Sequence, residues 1–176
     1  MIVDFTRAPA AIELAAERVL KIPGKHLGRD ESGLDCAGMV RWVYGHQAID
    51  VPLPDSYPLQ WFRRDPGRMQ RWVVDVLQWP RVHRVRGGDL LLMRLFTRGG
   101  DHPGVYLGGG RFLHGLAGQF TIEHLHQSFG RDAWVNRIAA AYRPRELECP
   151  SQSPSSLAPP SAHSPPSPPL GSSPPT

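Results

Sequence analysis

The residue pattern changes period at Gly87-Gly88-Asp89, and this switch constrains the fold more than any other feature. Upstream, residues 9–20 place apolar side chains at helical spacing among good helix formers, with Pro9 acceptable in the first turn and Pro23-Gly24 as the stop. Residues 24–34 have the composition of a loop. A second helix is predicted from Asp35 or Cys36 to Gly45, with Gly45 as its C-cap. Residues 50–58, with Pro52, Pro54 and Pro58, read as an extended loop, and residues 59–78 as one or two short helices around Trp61-Phe62 and Met69 to Leu77. Downstream the pattern predicts five strands, at 90–96, 102–107, 111–115, 120–125 and 138–142, with glycine turns at 98–101 and 108–110. Helices first and an antiparallel meander after them is the pattern of an α+β domain, with N-terminal helices packed on a five- to six-stranded antiparallel sheet.

The meander ends well before the chain does. Of 176 residues, positions 150–176 hold ten of the 19 prolines and nine serines, with no Asp, Glu, Lys or Arg. Such a segment cannot offset its ordering entropy, so the expected folding unit is residues 1–149, followed by a disordered Pro/Ser-rich tail. About 149 residues suffice for one hydrophobic core and not for two ordinary domains. No apolar run approaches the roughly 18 residues of a membrane span. The first residues lack a basic stretch followed by an apolar one, which reads as no signal peptide. A net charge of +4, from 18 Arg and two Lys against 16 acids, is too small and too dispersed to mark a nucleic-acid binder. The densest basic stretch, from Arg63 to Arg71, is broken by Pro66-Gly67 and reads as a solvated loop and helix face. The two cysteines, Cys36 and Cys149, do not make a disulfide framework and are expected to be reduced thiols.

Cys36 sits in Gly33-Leu-Asp-Cys-Ala-Gly-Met-Val40, with small residues around it and an acid before it where the helix begins. A thiol at a helix N-terminus meets the positive end of the dipole and free N–H groups, which favour thiolate and could receive an oxyanion. Taken alone, the octapeptide fits a core cysteine packed beside Gly38 slightly better. A nucleophilic cysteine also needs a base. His102 and His114 stand on two predicted strands joined by a glycine hairpin, and adjacent antiparallel strands bring same-face side chains within about 5 Å. Such a pair supplies a base and an orienting group.

With these residues in place, the chain resembles the NlpC-type cysteine peptidases of the bacterial cell wall. Gly33 to Val40 is similar to their Asp-Cys-Ser-Gly-Leu-Val signature. The likeness continues in Gly88-Asp-Leu-Leu-Leu-Met93, and again in His102-Pro-Gly-Val-Tyr-Leu-Gly-Gly-Gly-Arg-Phe-Leu-His-Gly115. The resemblance implies a papain-like fold without a cofactor or metal, Cys36 as nucleophile, His102 as base and His114 as the orienting third residue. It also puts Asp35, Ala37 and His26 on the substrate and oxyanion side. The implied reaction is hydrolysis of peptidoglycan stem peptides, often after D-γ-glutamate and before a diamino acid. Gly24-Lys-His-Leu-Gly-Arg29 and Trp134-Val-Asn-Arg-Ile-Ala-Ala-Ala-Tyr-Arg143 look like the phage branch. That branch implies synthesis in the cytoplasm, carriage in a virion and phage tail-tip proteins as further partners.

Three positions depart from the family pattern. Gly24 stands where many relatives have an aromatic residue, Ala37 replaces the common Ser after the nucleophile, and Pro103 follows the base directly, a placement expected of an edge strand. Two other functions stay open: a non-catalytic tail-assembly component that keeps the fold for binding, and an amidase cleaving between sugar and stem peptide. His124 and His126 alternate on one strand face, and with Glu123 nearby a metal site could be drawn, but no further ligand has the expected spacing and a solvated strand face for the two histidines is the better reading. His46 suits a helix C-terminus, and His83 falls in an exposed arginine-rich loop.

Overall fold

The computed structural model describes residues 1–59, 64–95 and 100–148. The predicted helix around Trp61-Phe62, the end of the 90–96 strand, part of the following turn, Cys149 and the Pro/Ser tail lie outside the described residues. In chain order the elements are β1 (Ile2–Val3), α1 (Ala10–Val19), β2 (Arg29–Asp30), β3 (Gly33–Leu34), α2 (Cys36–Gly45), α3 (Arg68–Arg71) running into a π-helical stretch (Trp72–Leu77), and β4 (Arg84–Val85). Then follow β5 (Leu90–Met93), β6 (His102–Gly108), β7 (Arg111–Leu116), β8 (Gln119–His124), β9 (Ser128–Phe129), β10 (Asp132–Ala133), α4 (Trp134–Arg137) and β11 (Ile138–Tyr142).

The two main helices form where the apolar spacing puts them. α1 buries Ile12, Ala15, Ala16 and Val19, one stripe at i, i+3, i+4 and i+7. α2 buries Met39, Val40, Val43 and Tyr44, a stripe at i, i+1, i+4 and i+5. Both stripes share one core with Leu90, Leu92, Val105, Leu107 and Leu113 from one face of the sheet. The sheet is antiparallel throughout, in the order β11-β5-β6-β7-β8. Its other face is covered too, by a second core of Leu91, Met93, Tyr106, Phe112 and Trp134. All seven residues of the central strand β6 are therefore buried, and its sequence shows no alternation.

Four details differ from the sequence-based expectation. The 24–34 loop contains the short β2–β3 ladder. Arg84 and Val85, next to His83, pair with Ile2 and Val3 in parallel rather than lying in an open loop. Gly45 is not the C-cap: the left-handed residue is Ala48, whose N–H bonds to Gly45 O while the Ile49 N–H reaches Tyr44 O, a Schellman arrangement. Pro103 lies in central β6 rather than on an edge, opposite Leu92 of β5. It is tolerated there because the β7 ladder begins one residue later, at Gly104 opposite His114.

Two of the resembling blocks meet in a buried ion pair that closes the sheet. Asp89, fully buried, takes Arg143 Nε at 2.8 Å and Nη2 at 2.9 Å, and accepts the Arg86 N–H at 2.9 Å. Burial raises the Asp89 pKa, and the Arg143 guanidinium opposes that rise. Tyr44 of α2 donates its hydroxyl to Gly88 O at 2.9 Å, which ties the cysteine-bearing helix to the same turn.

Candidate active site

Cys36 is the first residue of α2, and its position follows from how that helix starts. Asp35 is extended at the N-cap, and its Oδ1 accepts the Gly38 N–H at 2.8 Å. The same carboxylate takes Arg29 Nη1 at 2.8 Å, the Leu27 N–H at 2.9 Å and the Tyr57 hydroxyl, and Arg29 Nη2 also donates to Tyr57 Oη at 3.0 Å. Both Asp35 oxygens are thus engaged within the protein, and a carboxylate has no donor for an oxyanion. Its observed work is to hold the start of α2 against the 27–29 loop. That approach is close: a Cβ on Gly38 would lie 2.2 Å from Gly28 O, so only glycine fits there.

His102 and His114 come together across β6 and β7. Gly104 pairs with His114, so His102 is its diagonal neighbour on the same face, and His102 Nε2 lies 2.9 Å from His114 Nδ1. Both rings are buried, with 3% and 0% of their surfaces exposed. Trp134 covers the pair, stacked on His102 at 6.0 Å and edge-on to His114 at 4.8 Å, and Phe112 stacks on His114 at 4.9 Å. Cys36 and His102 open onto one cavity of about 430 Å³, with Ala37, Tyr57, Arg68 and Trp72 also in its wall. Because Nε2 of His102 is committed to His114, Nδ1 is the nitrogen left for a group in the cavity.

Burial sets the electrostatics of this site. It pushes the Cys36 thiol up to about 11, and the neighbouring Asp35 carboxylate adds to the rise. The helix-start argument expects the opposite; desolvation of the anion outweighs the backbone N–H contact that stabilises it. Burial, with the positive charge His114 can carry, pulls His102 down to about 3. His114 is also lowered by burial, against the pull of Glu123. All three shifts favour the uncharged form of the group concerned.

Ala37 is buried in the cavity wall, and His26 stands exposed at its rim, edge-on to Tyr57 with ring centroids 5.6 Å apart. The space beside Gly24, where an aromatic residue is common, is filled by the turn after β7. The Gly24 N–H bonds to Gly118 O at 3.0 Å, and a Cβ at position 24 would meet the Gly118 backbone at 2.5 Å. Sequence reasoning missed Arg29 and Tyr57, which clamp Asp35, and Glu123 with Trp134 behind the histidines. Glu123, noted from sequence only as a neighbour of His124, has a different role. It shares the face of His114, its Oε1 is 3.4 Å from His114 Nε2, and the Trp134 indole N–H donates to its Oε2. His124 faces the other way, and among the described residues no group of three His, Cys, Asp or Glu could hold a metal ion.

A cysteine on the first turn of a helix, sharing a cavity with one member of a buried histidine pair carried by an antiparallel sheet, defines an α+β domain of the papain-like class. Comparison with known proteins narrows this: the chain belongs to the NlpC/P60 family, whose model matches residues 23–139. It is 27% identical over 154 residues to the gamma-DL-glutamyl hydrolase of Bacillus subtilis, covering 86% of this chain and 33% of that protein. It is 26% identical over 113 residues to the murein DD-endopeptidase MepH of Escherichia coli, covering 64% and 36%. The chain thus spans about a third of the length of these relatives. Among solved structures, an NlpC/P60 family protein from Bacillus cereus matches with a TM-score of 0.55 at 23% identity, over 78% of this chain and 41% of that one. A lipoprotein-like NLP/P60 protein from Staphylococcus aureus matches with a TM-score of 0.52 at 22% identity, over 76% and 40%. These two share the fold.

Proposed function

We propose that this chain is a cysteine peptidase that hydrolyses an amide bond in peptidoglycan stem peptides. The observation that carries the reading is the shared cavity: Cys36 at the head of α2 and His102, tied through Nε2 to His114, line the same 430 Å³ space. The name of the Escherichia coli relative supports a murein substrate, and that of the Bacillus subtilis protein supports a bond following γ-linked glutamate.

In this reading Cys36 Sγ attacks the amide carbon as its proton passes to His102 Nδ1, and the carbonyl oxygen becomes an oxyanion. Four N–H groups at a helix start lack intrahelical partners. Here Asp35 N–H reaches Gly28 O and Gly38 N–H reaches Asp35 Oδ1, which leaves those of Cys36 and Ala37 beside the thiol for the oxyanion. The C–N bond breaks as the His102 proton goes to the departing amine, giving a thioester. Water then attacks the thioester and gives a proton to His102, the C–S bond breaks, and the proton returns to sulfur. His114 accepts the hydrogen bond that orients His102 and supports its charged form.

The same reading places the protein at a phage tail tip, made in the cytoplasm and carried to the wall in a virion. The support is the likeness of residues 24–29 and 134–143 to phage members of the family. Incubation with purified peptidoglycan, followed by mass spectrometry of the released fragments, tests the reaction. The expected product is a new amino terminus on the diamino acid, absent with Cys36→Ala. Release of whole stem peptides from sugar would make the protein an amidase, and binding without release would make it a non-catalytic wall-binding component.

A further inference from the structure

The histidine pair has two ways to share its protons, and only one leaves a usable base. In the first, His102 carries its proton on Nε2 and donates it to His114 Nδ1; His102 Nδ1 is then bare toward the cavity, and His114 carries its proton on Nε2. In the second, His114 donates from Nδ1 to His102 Nε2, so His102 holds its proton on Nδ1 and cannot take one from a thiol. The 2.9 Å contact between the rings fits both. The choice falls to whatever faces His114 Nε2.

That nitrogen is buried and has no formed hydrogen bond among the described residues. Two titratable groups face His114, His102 from β6 and Glu123 from β8. Trp134 and Phe112 close the remaining sides. Glu123 pairs with Phe112 across the β7–β8 ladder, which makes it the diagonal neighbour of His114 on the same face. Its Oε2 is pinned by the Trp134 indole N–H, which aims Oε1 at His114 Nε2 from 3.4 Å. A carboxylate cannot donate. A bare Nε2 would set a lone pair against an anion, whereas an Nε2–H would point a donor at it. Contacts of this length often tighten when substrate closes a site.

We propose that Glu123 is a positioning residue that locks His114 in its Nε2–H form, and that Trp134 is its anchor. The chain of contacts then runs from Trp134 through Glu123, His114 and His102 to the cavity that Cys36 lines. Glu123 selects the arrangement with His102 Nδ1 bare, and its charge faces the imidazolium that forms during turnover. This rests on the peptidase reading for its consequence in catalysis, but not for the proton arrangement itself, which exists without substrate.

The test separates the two. Nitrogen-15 NMR of the full chain at neutral pH should show both His102 and His114 protonated on Nε2. Glu123→Gln keeps the shape. Its amide can accept from Trp134 and donate to a bare His114 Nε2, so His102 is expected to shift to its Nδ1–H form with the melting temperature held. On peptidoglycan, kcat should fall on the order of 10²–10⁴-fold with KM nearly unchanged, the range of a general acid–base contribution, whose upper end is reached when an orienting group imposes the wrong tautomer. Wild-type His114 protonated on Nδ1 would overturn the proposal, as would an unaltered tautomer pattern or full activity in a folded Glu123→Gln. If Glu123→Gln does not fold, the wild-type spectrum still decides. A tautomer inversion in a chain that cleaves no peptidoglycan would uphold the role of Glu123 and remove the peptidase reading instead.

Discussion

The upward shift of the Cys36 thiol predicts a measurable pH dependence of its reactivity. With Cys149→Ser, Cys36 is the only cysteine left in the chain. A solvated thiol titrates near 8.5, so at pH 8 about a quarter of it is thiolate; with a midpoint of about 11, Cys36 would be ionised to about one part in a thousand. A more basic thiolate is intrinsically more nucleophilic, with a Brønsted slope of about 0.4–0.5, which recovers about tenfold. Cys36 should therefore react with a small aromatic disulfide about 10–30-fold more slowly than glutathione at pH 8, and its rate should still be climbing at pH 10. Stopped-flow release of the chromophore across pH 6–11 reads both quantities. Asp35→Asn keeps an acceptor for the Gly38 N–H but removes the negative charge next to sulfur, so its midpoint should fall while burial holds it above 8.5. A wild-type profile with its midpoint at or below 8.5 would refute the balance drawn here. It would mean that helix-start stabilisation of the thiolate exceeds the cost of desolvating it.

Four further outcomes are expected. His102 is held near 3 against an ordinary 6.5, so the folded chain binds fewer protons than the unfolded one. The resulting stability is complete above pH 6.5 and is lost as pH falls toward 3, by up to about 4 kcal/mol; urea midpoints at pH 4.5 and 7.5 should differ less in His102→Gln than in wild type. Arg143→Met leaves the buried Asp89 carboxylate without its cation and should cost about 3–5 kcal/mol, read as a drop in melting temperature of roughly 10 °C or more, largely recovered in Asp89→Asn/Arg143→Met. Gly24→Tyr should destabilise by about 1–3 kcal/mol and raise no activity, because the side chain must displace the Gly118 backbone; a gain in hydrolysis with an unchanged melting temperature would contradict this. A chain ending at Cys149 should match the full chain in melting temperature and hydrolysis, since the Pro/Ser composition beyond it cannot build a core.

Local signals carried much of the fold. The start of α2 is legible because an N-cap acid, a helical apolar stripe and small residues coincide at 35–40, and the structure begins the helix at Cys36. Its end is not, because the residue that turns left-handed is Ala48, three positions past the glycine that local propensity favours; Ile49 is buried there, so tertiary packing places the stop. The five strands are legible from composition and glycine turns, and β11 joins the edge beside β5 as the short meander leaves it room to do. Pro103 shows the limit. Proline in a strand signals an edge, but whether one flank of a central strand is still unpaired at that residue depends on where its neighbour's ladder begins.

The site divides along the same line between local and non-local information. Cys36, His102 and His114 stand in motifs, each with its own neighbours in sequence, whereas Arg29, Tyr57, Glu123 and Trp134 act through register and loop placement. At 119–124 the strand signal is clear, yet a shift of one residue would turn His124 toward His114 and Glu123 away. The register that prevents this is the pairing of Arg111 with His124 and Phe112 with Glu123. The electrostatics of the thiol divide in the same way. A helix start is visible in the residues around Cys36, while the burial that opposes it depends on residues distant in sequence that line the same cavity. The same enclosure lowers His102, so the two shifts have one cause and opposite signs, both favouring the uncharged form. Shifts in this direction favour an attack in which the proton moves as the new bond forms. A base with its Nδ1 bare is the requirement such a step places on the site.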